Sequence, residues 1–343
     1  VDFVEHFKAS PERLALSNAL TQEGFTTPST VYGELVFSKK RAADSMTQMT
    51  ALVSRFMAMY WRTPSYNLTR LMIAVTFGLI FGIVSIGIDY TTYQGVNSSV
   101  GLIFMTTLYN GFASYTAVLP FTARERASFY RERAAQTYNS LWYWLGSTLA
   151  ELPYVFCCGL LFTMFFFPIA GFSGVGTFVL YWIDTSLFLL IQTYMGQLLA
   201  YALPSVEVAV VVGVLCNAIF LLFAGYNPPA DSIPSGYRWL YHITPHRYAL
   251  SVLISLLFGD CPVEPTYDQA LGQYVNVGSA LGCQPLQNTP VTIDHITVKG
   301  YVEQVFQMKR DDLWSNLGVV LIFLAIYRVL SLFALRYINH QKR

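Results

Sequence analysis

Residues 142–166 read W-Y-W-L-G-S-T-L-A-E-L-P-Y-V-F-C-C-G-L-L-F-T-M-F-F, a long apolar run with one formal charge, Glu151. A helix needs roughly 20 mostly apolar residues to cross about 30 Å of hydrocarbon, and this run is long enough. Five more stretches qualify on either side of it: 68–88, 100–120, 178–203, 208–226 and 314–337. None alternates with period two over ~10 residues, as the strand of a membrane barrel would. The expected fold is therefore an all-α integral membrane protein with six transmembrane helices. Composition agrees. Charged residues make up 12% of the 343, about half the share found in soluble domains, which excludes an ordinary cytosolic enzyme. Net charge is +1, so no basic surface argues for nucleic acid.

Orientation follows from Lys and Arg in the short flanking segments, because positive residues stay on the cytosolic side. Lys8, Arg13, Lys39, Lys40, Arg41, Arg55 and Arg62 precede the first span. Arg124, Arg126, Arg131 and Arg133 stand between spans two and three, and Lys342 and Arg343 follow the last. The links 89–97 and 171–176 contain neither residue type. Both termini are expected inside. The chain starts V-D-F-V-E-H-F-K-A-S, without the basic and apolar regions of a signal peptide, and reads as the C-terminal piece of something longer. Residues 1–44, broken by Pro11, Gly24, Pro28 and Gly33, read as a cytosolic linker. Met46, Met49, Leu52, Phe56 and Met59 then form a helical stripe, so 45–61 is expected to be an amphipathic helix on the inner membrane surface or against a partner helix.

This orientation places 227–312 outside. Within it, 237–258 is apolar but broken by Pro245 and carries Arg238, His242, His246 and Arg247. Such a stretch reads as re-entrant or interfacial, not as a seventh span. Cys261 and Cys283 lie further along the same outer segment, where a disulfide between them would close a loop worth about 3 kcal/mol in the chain-entropy model. An intermolecular bridge is the alternative. Cys157, Cys158 and Cys216 fall inside spans and read as small packing residues.

Nucleotide chemistry has no carrier here. None of the six lysines follows a glycine, so the phosphate loop G-x-x-x-x-G-K-[ST] is missing, and no G-x-S-x-G elbow occurs. His242 and His246 are four apart, but Pro245 separates them and no Cys or carboxylate completes a zinc set. No catalytic residue and no metal site is expected.

The informative segment follows the second span: P-F-T-A-R-E-R-A-S-F-Y-R-E-R-A-A, residues 120–135. Its charges of both signs, with Phe129 and Tyr130 between them, read as a short cytosolic helix. It is either a solvated inner loop or a lever that passes movement of a cytosolic partner into the spans. The run E-R-x-x-F-Y-R-E-R-A-A, followed by A-E-L-P-Y at 150–154, resembles the signature of the pleiotropic-drug-resistance group in the G subfamily of ABC transporters. W-R-T-P-S-Y-N (61–67), Y-x-x-x-P-x-x-Y-x-L (241–250), F-G-D (258–260), T-V-K (297–299) and the terminal N-x-Q-K-R (339–343) match in order and spacing.

The resemblance implies that 45–343 is an ABC-2 type transmembrane domain and that 1–44 leads from a missing nucleotide-binding domain. It implies an ATP-driven exporter at the plasma membrane, moving hydrophobic or amphipathic xenobiotics or lipids. Its partners would be nucleotide-binding domains, which would hold ATP and Mg, and a second membrane domain, on the same polypeptide or in a dimer. By the same resemblance 45–61 is the connecting helix and 124–133 the coupling helix, with Arg124, Glu125, Arg126, Arg131, Glu132 and Arg133 touching the nucleotide-binding domain. The substrate cavity would lie between the second and fifth spans, at Tyr109, Asn110, Phe112, Asn217, Phe220 and Leu221. Where some relatives carry an apolar plug, this chain has Tyr226 and Asn227 after Gly225.

Charges inside spans are expensive and mark structure or function. Glu151 is expected to pair with an arginine of the coupling helix, and Arg328 to meet Asp184 or snorkel. A proton-coupled permease and a non-transporting fragment remain alternatives to the ATP-driven reading. Charge reversal at Glu125 or Arg126 is expected to abolish efflux while the protein still reaches the membrane, which a transport assay with surface labelling checks.

Overall fold

Prolines and small polar caps set the helix boundaries. The computed structural model describes residues 2–22, 26, 41, 43–270, 273–293 and 295–340. Gly24, Pro28, Gly33, Lys39, Lys40, Lys342 and Arg343 lie outside the described residues. The chain divides into two units, Val1–Ala42 and Ala43–Arg343. In the first, α1 (Phe3–Lys8) is capped by Asp2, whose side chain accepts from the Val4 amide. Ser10 caps α2 (Pro11–Thr21) in the same way, with Pro11 in the first turn, where it sacrifices no helical hydrogen bond. The expected linker thus contains two short helices.

The second unit holds α3 (Ser45–Trp61), α4 (Pro64–Val84), α5 (Tyr93–Ala134), α6 (Ser140–Ile169), α7 (Val175–Ala202) and α8 (Val206–Leu222). Then follow α9 (Arg238–Ile243), α10 (Pro245–Phe258), α11 (Val298–Val305) and α12 (Leu313–Tyr337). A two-stranded antiparallel ribbon, β1 (Thr266–Asp268) and β2 (Gln273–Val275), pairs Tyr267 with Tyr274. Helices α4, α5, α6, α7 and α12 are long and apolar enough to cross a membrane, and α8 is a shorter apolar helix. The fifth expected span ends early, at Leu222, because the chain turns at Gly225 (φ +86°) with Tyr241 packed against it. The break expected at Pro245 is the boundary between α9 and α10.

Helix α7 lies at the centre. Every residue from Asp184 to Gln197 is buried, as expected of a helix surrounded on all sides. Helices α5, α6, α8, α10 and α12 all pack on it. Close approach relies on glycine: a Cβ at Gly159 would stand 2.2 Å from the Ser186 hydroxyl on α7. Between α5 and α8, the Tyr115 hydroxyl donates to the Ala209 carbonyl across Gly213. A Cβ at Gly213 would stand 1.7 Å from that hydroxyl oxygen.

Two expectations need correction. The charged segment is not a separate helix. It continues α5 through Pro120 without a break, giving a rod of 42 residues; the proline removes one backbone bond but its neighbours hold the helix on. The buried stripe of α3 is also rotated from the expected one: Gln48, Leu52, Phe56 and Tyr60 are buried, whereas Met46 is exposed. Gln48 faces inward because its side chain accepts from the Asn139 amide at 3.0 Å and donates to the Ala43 carbonyl at 2.8 Å.

Gly213→Val is expected to destabilise by about 1–3 kcal/mol, the usual cost of overpacking, read as a lower melting temperature in detergent. Adding Tyr115→Leu should recover most of the loss.

Candidate functional site: a buried charge network and a charged helix end

Glu151, in the middle of the A-E-L-P-Y motif, is fully buried. Its Oε1 accepts from the Tyr60 and Tyr66 hydroxyls, each at 2.7 Å, and from Gln197 Nε2 at 3.3 Å. Its Oε2 accepts from Arg70 Nη1 at 3.1 Å. Arg70 is buried as well and also reaches the Tyr66 hydroxyl at 2.8 Å and Thr193 at 3.3 Å. Phe121 stacks on Tyr66 (centroids 4.6 Å apart) and meets Tyr60 edge-on, which brings α5 against the same group. The pair therefore ties α3, α4, α6 and α7 together. The expected partner was an arginine of the coupling helix; the actual one is Arg70, which the sequence reading passed over. The signal was present, an arginine inside an apolar run one helical turn after Tyr66.

Arg328 extends the network. Its Nη1 donates to Gln197 Oε1, and its Nη2 donates to the Trp144 carbonyl at 2.9 Å and to the Thr148 hydroxyl. Gln197 thus accepts from Arg328 with its oxygen and donates to Glu151 with its nitrogen. The guanidinium also lies over the Tyr194 ring, 4.5 Å from the centroid. Arg328 neither meets Asp184 nor snorkels. Asp184 is fully buried, and among the described residues neither carboxylate oxygen has a hydrogen-bonding partner.

At the far end of α5 the six expected contact residues divide. Arg55 on α3 donates to both oxygens of Glu132 at 2.8 Å and sits 3.7 Å from Glu125. The Tyr138 hydroxyl also donates to Glu132. Arg126 binds the carbonyls that end α7, reaching Pro204 at 2.9 Å as well as Ala200 and Leu203. Arg133 binds the end of α12 at Leu335 (2.8 Å) and Arg336 (2.7 Å). Cations at helix C-termini satisfy orphan carbonyls and the helix dipole together. Four of the six are therefore committed inside the chain, and Arg124 and Arg131 are the exposed ones.

The six expected cavity residues do not share one surface. Tyr109 and Phe112 are exposed, Tyr109 beside Phe77 and Phe81. Asn110 and Asn217 are buried and donate to carbonyls one turn earlier on their own helices, Thr106 and Gly213, each at 2.9 Å. Phe220 is half-buried with its ring 5.6 Å from His246, and Leu221 packs against the main core. Spacing alone could not separate Asn110 from Tyr109, because adjacent helical residues differ by about 100°.

Beyond α10, a disulfide joins Cys261 to Cys283. Glu264 accepts from Lys299 at 2.6 Å, a bond that holds the ammonium above its ordinary pKa. Tyr226 packs between Phe104 and Phe306. His242 and His246 turn to different partners, Arg247 and Gln192.

Two family profiles cover almost all of this second unit. The ABC-2 type transporter profile matches residues 47–258, and the CDR ABC transporter profile matches 265–343. The chain belongs to the ABC-2 type transporter family, and both matches are to membrane domains of ABC transporters. It is 27% identical over its full length to ABC transporter G family member 53 of Oryza sativa subsp. japonica. It is 32% identical over 67% of its length to ABC transporter G family member 42 of Arabidopsis thaliana, and 28% identical over 80% to Pleiotropic drug resistance protein 1 of Petunia hybrida. The chain spans about a fifth of the length of these relatives, 22%, 17% and 19% respectively.

Glu151→Gln leaves the buried Arg70 charge unpaired and is expected to cost about 3–5 kcal/mol, seen as lost folded yield and a lower melting temperature. Glu151→Gln with Arg70→Met should restore much of both.

Proposed function

We infer that this chain forms the transmembrane half of an ATP-driven efflux transporter. Six helices cross the bilayer with both ends cytosolic, and α9–α10 enter from the outer side as re-entrant helices. Nucleotide-binding domains outside this chain hold ATP and Mg and supply the motor, and a second membrane domain completes the pathway. Membership of the ABC-2 family supports this reading, as do the names of the G-family relatives.

The observation that carries it is the unbroken α5. Its outer half bears Tyr109 and Phe112 on an exposed aromatic face, suited to flat apolar or amphipathic ligands. Its inner end bears Arg124 and Arg131, exposed and set in a frame of internal ion pairs. A rigid rod moves both ends together. A charged contact that differs between two states can then shift the substrate face without placing charge in lipid. The α3 helix is the connecting helix in this scheme, locked to α5 by Arg55.

The test follows the division between the exposed arginines and the internally bonded ones. In the full-length protein, Arg124→Glu with Arg131→Glu should leave folding and surface delivery intact and reduce ATP-dependent efflux at least tenfold. Arg126→Ala should lower thermal stability by about 1–3 kcal/mol, because it strands the carbonyls ending α7. Efflux unchanged in the double reversal would overturn the coupling assignment.

A further inference from the structure

Asp184 stands apart from the other buried charges among the described residues. Arg70, Glu151 and Arg328 each have several polar partners, whereas both oxygens of Asp184 have none among the described residues. Among the other described polar atoms buried without a partner are the hydroxyls of Tyr181 and Thr185, on the same helix, and of Thr163 on α6. Helices α6 and α7 run antiparallel, with Gly159 against Ser186 and Phe166 against Tyr181. Thr163 falls between those two contacts, level with Asp184. Buried polar atoms without partners are rare in native proteins, and four neighbouring side chains of this kind call for a common explanation.

A cavity of about 10 Å³ adjoins two of these residues, Tyr181 and Thr185, which wall it together with Thr106, Thr107 and Asn110 of α5 and apolar side chains of α6, α7 and α10; Asp184 is the helical neighbour of Thr185 and does not itself line it. The cavity has room for about one water molecule. The cations on the elements packed against α7 are engaged elsewhere. Arg328 of α12 is held at Gln197, thirteen residues and ~20 Å along α7 from Asp184. Arg70 is held by Glu151 of α6, and His246 of α10 lies between Phe188 and Phe220 with Gln192 at 3.0 Å. The other titratable groups on the apolar stretches of these helices include Tyr109 and Tyr115 of α5, Tyr154, Cys157 and Cys158 of α6, Tyr194 of α7, Cys216 of α8, Tyr248 of α10 and Tyr327 of α12. All are neutral in their ordinary protonated forms. A bare carboxylate in that setting would cost several kcal/mol, and keeping a proton removes the charge.

We propose that Asp184, with Tyr181, Thr185 and Thr163, forms a proton-binding site inside the helix bundle, loaded in this conformation and emptied to water when α5 separates from α7. One wall of the cavity is α5, the same unbroken rod that ends in Arg124 and Arg131. Movement of that rod opens the cavity, water enters, the O–H bond of the acid breaks and a water molecule takes the proton. Closure requires the carboxylate to recover a proton from water. The loaded state stands on the geometry alone; the emptying step rests on the coupling role of α5.

Infrared difference spectroscopy of the full-length transporter in proteoliposomes tests both parts. In the nucleotide-free protein at neutral pH, a protonated-carboxyl C=O band should be present, shift in heavy water and vanish in Asp184→Asn. Asp184→Glu should move the band, and isotope-labelled aspartate assigns it if the Asn variant does not accumulate. Trapping with ATP and vanadate should abolish the band and release a proton in step. A nucleotide-free spectrum without an Asp184-dependent band overturns the proposal, and a sodium-dependent carboxylate band in its place would assign the site to a metal cation. A band that persists in a protein shown to be trapped overturns the emptying step. Failure to hydrolyse ATP or to trap counts against the transporter reading instead, and the nucleotide-free band then still decides whether the site is loaded.

Discussion

A carboxylate and a guanidinium, both sealed from solvent at 3.1 Å, hold one half of the helix bundle together. The Arg70–Glu151 pair cannot fall back on water, so its partners must be supplied by the protein. Tyr60 of α3, Tyr66 of α4, and Thr193 and Gln197 of α7 supply them, and Phe121 covers the group from α5. Each of these helices is thereby fixed in rotation and in height against the others. Apolar packing alone specifies this weakly in a membrane, where lipid tails are as good a neighbour for leucine as another helix.

From that clamp the rest of this end of the bundle follows. Arg328 joins through Gln197 and brings in α12. Arg126 and Arg133 then tie the end of α5 to the ends of α7 and α12, and Arg55 ties it to α3. The charged tip of α5 is thus a braced element with two exposed arginines, not a loose loop of six. Bracing suits transmission of force, since an interface that yields locally carries little movement onward.

The sequence made the helices legible because the hydrocarbon thickness imposes their length and composition. The broken stretch at Pro245 was legible for a local reason: proline cannot continue the preceding helix. Pairing was not legible. Glu151 and Arg70 are 81 residues apart, and nothing in either neighbourhood names the other. The α3 stripe was misread for a related reason: Gln48 is buried through two hydrogen bonds to distant backbone, which hydrophobic periodicity does not register.

By itself, then, the sequence determined the class of fold, the helix-rich membrane character, the charge asymmetry and the motifs that place the chain in its family. These depend on composition and short-range order. Tertiary structure alone decided which charges are structural and which are exposed. It also decided that α5 runs unbroken into its charged end and that Asp184 stands without a partner among the described residues. Those outcomes depend on which helix faces meet, and that is fixed by contacts between residues far apart in the chain.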